Sequence, residues 1–127
     1  MLIPEMKDLA LLIVRVVFGV IFISHGWPKF TSPKIIGKGL RLPAGVTFLV
    51  GCGELLGGLG VIAGLLTQIA AMGPFVVMLG ALYHHIFKWK QAFDIWEYPL
   101  MLLAVAFAII ALGAGAYSID AFVGLYP

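Results

Sequence analysis

The sequence predicts an all-α fold, a four-helix transmembrane bundle, and three observations carry that prediction. Of 127 residues, 62% are apolar and 11% charged, whereas a soluble domain devotes about 25% of its residues to charge. Four stretches approach the roughly 20 apolar residues that cross a hydrocarbon core as helix; they run over 9–26, 44–65, 68–87 and 96–112. No strand-like alternation appears, and a closed barrel needs more strands than this length supplies. One domain is therefore expected to fill 1–127.

The first stretch follows Lys7 and holds Arg15 inside its apolar run. His25, Gly26, Trp27 and Pro28 stand where a signal peptidase would need small residues, so this segment is expected to remain as a span. The second and third stretches contain a single charge, Glu54, between Arg41 and Lys88. They meet at 64–68, a turn short enough to force an antiparallel hairpin. Pro74 is expected to kink the third helix. Gly53/Gly57 and Gly60/Gly64 on the second helix, and Ala104/Ala108 on the fourth, have the small-x-x-x-small spacing that lets helices approach closely in lipid. The same residues would suit a homodimer seam.

Orientation follows from the lysines and arginines. Lys29, Lys34, Lys38 and Arg41 follow the first span, and Lys88 and Lys90 follow the third; Lys7 alone lies on the opposite face. The positive-inside rule places 27–43 and 88–95 in the cytoplasm and both termini outside a cell membrane. Trp27, Trp89 and Trp96 mark the cytoplasmic boundary, with Tyr117 and Tyr126 toward the other. A net charge of +2 gives no reason to expect nucleic acid as a partner. The basic cluster is expected to attract anionic lipid.

Polar residues within the spans carry the functional information. By helical rise, Arg15 and Glu54 both fall near the midplane. A lone charge there costs about 3 kcal/mol, so the two are expected to form an intramembrane polar pair. That pair would either fix helix register or make a polar site for a head group or a proton. A second group, His25, His84, His85, Asp94 and Glu97, gathers near the cytoplasmic boundary. The spacing of Gly80, His84 and Phe87 turns His84 inward. Two histidines on facing helices, such as His25 and His84, have the chemistry to ligate haem, but their spacing does not require it. No three-ligand metal set stands out, and the single cysteine, Cys52, excludes a Cys-x-x-Cys redox pair.

Two motifs resemble a known family. The first helix reads Arg15-x-x-x-Gly19-x-x-Phe22-x-x-His25-Gly26-x-x-Lys29. The second reads Gly53-Glu54-Leu55-x-Gly57-Gly58-x-Gly60-x-x-x-Gly64-x-x-Thr67, followed by Ala70-Ala71. Together they resemble the DoxX family over nearly the whole chain, although Gln68 stands where relatives often carry a basic residue. The resemblance implies a four-helix membrane protein linked to quinone-dependent redox. It implies Arg15, His25, Lys29 and Glu54 as the shared polar set. The candidate head-group or proton site then comprises His25, Lys29, His84 and Glu97. The expected function is an accessory or quinone-linked subunit of a membrane oxidoreductase system, with a quinone as its ligand and no other cofactor required. The alternatives are a small proton-coupled transporter working through Glu54, or a non-catalytic scaffold. Expected partners are the bilayer and either a larger redox complex or a second copy of the chain.

Overall fold

In the computed structural model, residues 4–125 are described; Tyr126 lies outside them. Helix α1 runs Pro4–Thr31, α2 Pro33–Leu40, α3 Ala44–Ala63, α4 Thr67–Tyr83, α5 Phe93–Leu112 and α6 Ile119–Phe122. A π-helical turn, His84–Lys88, extends α4. The described residues hold no strand, and four helices are long and apolar enough to cross a membrane. Leu49, Leu56, Ile69, Val76 and Phe107 are all more than 60% exposed, as they are where the solvent is lipid.

The bundle is held by consecutive neighbours: α1 packs on α3, α3 on α4, and α4 on α5. Its core contains Phe18 and Phe22 of α1, Val61 of α3, Ala71 and Met78 of α4, and Leu102, Ala106 and Ile109 of α5. Lipid tails are as apolar as leucine, so close backbone contact rather than water exclusion holds such helices together. Glycine supplies that contact here. A Cβ at Gly58 would lie 2.8 Å from the Gly19 carbonyl oxygen, and one at Gly26 would lie 2.9 Å from that of Gly51. The α1–α3 seam thus runs through Gly51/Gly58 against Gly26/Gly19, at a spacing of seven. Gly57 faces α4 instead, where its Cβ would come within 2.6 Å of the Ala70 oxygen, with buried Pro74 beside it. Gly53 has open space at its Cβ position, so the expected Gly53/Gly57 pair does not act as one face.

Helix α1 continues past the expected end at Gly26 to Thr31. Gly26 serves close approach to α3 rather than termination, and the helix runs on through Pro28 despite its missing N–H and its crowding of the Ser24 carbonyl. Lys29 therefore belongs to the last turn of a spanning helix, not to a loop. The segment expected as a connection, 27–43, also contains α2, which starts with Pro33 at its first turn. Gly37 of α2 is buried against Thr47 and the Leu42 carbonyl. Helix α5 begins at Phe93, three residues before the expected start.

Candidate functional site

The two intramembrane charges do not meet. Arg15 is 1% exposed, and its guanidinium is held by backbone carbonyls. Nε donates to Val61 O at 2.9 Å, Nη2 to Ile62 O at 2.9 Å, and Nη1 to Ala114 O at 2.7 Å and Tyr117 O at 2.9 Å. Val61 and Ile62 lie in the last turn of α3, whose carbonyls lack the regular helical donor; the Gly64 amide reaches Val61 O at 3.2 Å, and the arginine supplies further donors. The guanidinium thus closes a helix C-terminus, where positive charge is favoured. Arg15 contacts α3 at Ile62, eight residues beyond Glu54, which is about 12 Å of helical rise. The expected Arg15–Glu54 pair is corrected on this ground: the arginine side chain reaches toward the termini end of the bundle, where the carbonyls of the α3 C-terminus and of Ala114 and Tyr117 are its partners.

A carboxylate answers it at the same end. Asp120 of α6 accepts from Leu66 N at 2.7 Å, Thr67 N at 2.9 Å and Thr67 Oγ1 at 2.8 Å. These groups open α4, and Leu66 has no side chain able to cap them. Burial pushes the Asp120 pKa up, but the hydrogen bonds from Thr67 and Leu66 and the charge of Arg15 outweigh it and hold the carboxyl below its ordinary value. The Asp120 amide also donates to Gly64 O at 2.8 Å. Gly64 turns at φ +70°, and Ser118 packs where its Cβ would be. Arg15 and Asp120 are therefore a structural clasp between the C-terminal segment and the α3–α4 turn. Sequence reading missed Asp120; the available signal was that α4 starts without a capping residue of its own.

Glu54 has a different partner. It is fully buried on α3 and receives a hydrogen bond and ion pair from Lys29 Nζ. Its second oxygen, Oε2, is buried without a hydrogen-bond partner among the described residues. Gly26 makes this arrangement fit, because a Cβ there would lie 2.9 Å from the Glu54 Cβ. Lys29 also lines a cleft of about 340 Å3. Val50 of α3 and Val77 and Met78 of α4 form its apolar walls; His84, His85 and Trp89 stand at its polar end. His84 Nδ1 lies 2.8 Å from Gly80 O. A carbonyl only accepts, so Nδ1 carries the proton and Nε2 of the neutral ring is an acceptor. His85 Nδ1 hydrogen-bonds Gln91 Oε1. The π-helical turn brings both histidines to one cleft, a use to which such turns are often put.

Of the expected head-group residues, the structure brings Lys29 and His84 together at this cleft. His25 is exposed beside Tyr98, with ring centroids 6.2 Å apart, and Glu97 is exposed on α5; neither lines the cleft. Among the described residues no group of three or more His, Cys, Asp or Glu is arranged to hold a metal ion.

The model of the DoxX family matches residues 10–89, a stretch that contains Arg15, Lys29, Glu54 and the whole cleft. The chain belongs to the DoxX family. Three relatives of this DoxX protein extend the comparison. The inner membrane protein YqjF of Escherichia coli (strain K12) is 27% identical over 91% of this chain and 93% of its own. CatD of Bacillus subtilis (strain 168), proposed by its name to be an oxidoreductase, is 28% identical over 91% of this chain and 88% of its own. The uncharacterised membrane protein Rv3486 of Mycobacterium tuberculosis (strain H37Rv) is 36% identical over 54% of this chain and 46% of its own. No solved structure matches. The family match stops before Asp120, so half of the structural clasp lies outside it.

Proposed function

We propose that this DoxX protein is an accessory, quinone-linked subunit of a membrane oxidoreductase system, and that the Lys29 cleft receives the ring of the quinone. The observation that carries the reading is Lys29, which joins a fully buried carboxylate to an apolar cleft ending in two histidines. A quinone ring asks for an apolar slot with one or two hydrogen-bonding groups. Valine and methionine walls meet the first demand. Lys29 has three N–H donors and uses one on Glu54, so it can donate to a ring carbonyl, while His84 Nε2 can accept from a ring hydroxyl. The buried Glu54 holds the Lys29 amine in place. Bound there, the quinone would supply two-electron chemistry, with electrons reaching it from a partner subunit. The name of the Bacillus subtilis relative supports this reading.

The test is photo-crosslinking of the purified protein with an azido-quinone. Label is expected within residues 29–50 and 76–89, and Lys29→Gln is expected to lower it about tenfold, the value of one charge-assisted hydrogen bond. Label absent from both segments would remove the reading.

Buried Oε2 of Glu54 favours a second reading, a proton-binding carboxylate in a small transporter. Proton-dependent uptake into vesicles that Glu54→Gln abolishes, with no quinone label, would put transport first. For either reading we place the protein in the plasma membrane with the connections 32–43 and 89–92 facing the cytoplasm, on the strength of the positive residues in and beside them.

A further inference from the structure

Beside the apolar cleft lies a second, open hollow of about 520 Å3, lined by Gly39, Arg41, Lys88, Trp89 and Gln91. Two of these five residues are cationic and none is acidic. The hollow and the cleft share Trp89 and divide one stretch of chain between them: Gly39 and Arg41 line the hollow, Leu40 and Leu42 the cleft. Amphiphilic chemistry is thus sorted residue by residue across a boundary that a tryptophan, an interfacial side chain, straddles.

The backbone adds an independent observation. Arg41 ends α2 in the left-handed conformation at φ +58°, where Leu42 N donates to Gly37 O at 2.9 Å. Helices usually place glycine at this position, because an L side chain is strained there. Lys90, between the lining residues Trp89 and Gln91 but not itself part of the lining, is also left-handed, at φ +48°. Strain held at a cationic hollow points to a use for the cation. Gln91 gives its carbonyl oxygen to His85, which leaves its amide N–H groups as donors.

We propose that this hollow binds the phosphate of an anionic phospholipid from the adjoining leaflet. Arg41 would present its planar fork to the phosphate oxygens, Lys88 a point charge and Gln91 a neutral donor. The acyl chains would lie along the apolar border marked by Leu40 and Leu42. A bilayer lipid fits better than a free anion because the apolar cleft adjoins the hollow directly. The two sites share the border at Leu40 and Leu42, but their tests separate them: the quinone crosslink is read against Lys29→Gln and the lipid retention against Arg41→Gln, so either assignment can fail alone.

The experiment is native mass spectrometry of the protein released from nanodiscs of mixed phosphatidylglycerol and phosphatidylcholine. Wild type is expected to retain phosphatidylglycerol preferentially. Arg41→Gln and Lys88→Gln should each lower that retention about tenfold, the value of about 1.4 kcal/mol. Lys34→Gln and Lys38→Gln make the same charge change outside the hollow and should leave it within about twofold. Arg41→Gly suits the left-handed turn, so it should lose the lipid while its melting temperature holds or rises. Equal losses in all four glutamine variants, retention by Arg41→Gly, absence of any preference in wild type, or displacement of the lipid by millimolar inorganic phosphate would each overturn the assignment.

Discussion

A guanidinium offers five N–H donors in one plane, and Arg15 uses four of its possible bonds on carbonyl oxygens at the termini end of the bundle. Truncation strips those carbonyls of their donor inside an apolar environment. Arg15→Ala is therefore expected to cost about 3 kcal/mol, read as a lower unfolding midpoint in detergent, while quinone labelling of the surviving folded protein stays near wild type. Lys29 and Glu54 behave differently because, among the described residues, each is the other's only charged partner at contact distance. Lys29→Met alone leaves a buried, unpaired carboxylate and is expected to cost about 3–5 kcal/mol. Adding Glu54→Leu should recover most of that loss, because a packed apolar pair can replace a buried ion pair. The double variant should fold and still fail to take the quinone label. Stability restored together with labelling would remove Lys29 from the site. Glu54 was legible from sequence as the one charge in a long apolar stretch. Its partner was not, because Lys29 follows Trp27-Pro28 and reads as a loop residue until the α1–α3 contact carries the helix through Pro28.

At the scale of elements, two close contacts organise the fold, and each gives a prediction. Gly58 faces the Gly19 carbonyl of α1, whereas Gly53 faces open space. Gly58→Val is expected to destabilise by about 1–3 kcal/mol through forced separation of the helices. Gly53→Ala should be neutral or stabilising by up to about 1 kcal/mol, since it only improves helix propensity. Chemical unfolding of the two variants side by side checks this, and equal losses would mean that the seam is misassigned. The glycine-rich character of α3 was plain in the sequence, but which glycines face which neighbour depends on register, and both candidate pairings have helical spacing. The second contact is the cap that α6 places on α4. The folded pKa of Asp120 lies below that of an unfolded aspartate, about 3.9. Its contribution is thus fully present above about pH 4 and is lost as pH falls through the folded value. Asp120→Asn should lower stability by about 2 kcal/mol near neutrality, and its deficit against wild type should shrink in acid. A melting-temperature series from about pH 7 down to about pH 2 shows the two curves converging if the cap works through charge.

For the whole molecule, topology makes the remaining prediction. In a Cys52→Ser background, Lys38→Cys and Lys90→Cys should react with a membrane-impermeant maleimide only after the cell is opened, and Ala116→Cys before it. The reverse pattern would invert the protein and move the cleft to the other leaflet. The solvent, the number of spans and the helical class could all be read from the order of residues. Those properties follow from summed transfer free energy over about 20 residues, which no single contact can reverse. The sequence also carried the family, through glycines and polar residues at set spacings in the first two spans. Who pairs with whom could be known only from the packed bundle. A buried charge must find a partner, but several partners at similar depth satisfy that demand equally in one dimension. Only the α1–α3 register, the turn that folds the C-terminal segment back, and the extra helical turn ending at Thr31 sent Arg15 to backbone carbonyls and Glu54 to Lys29.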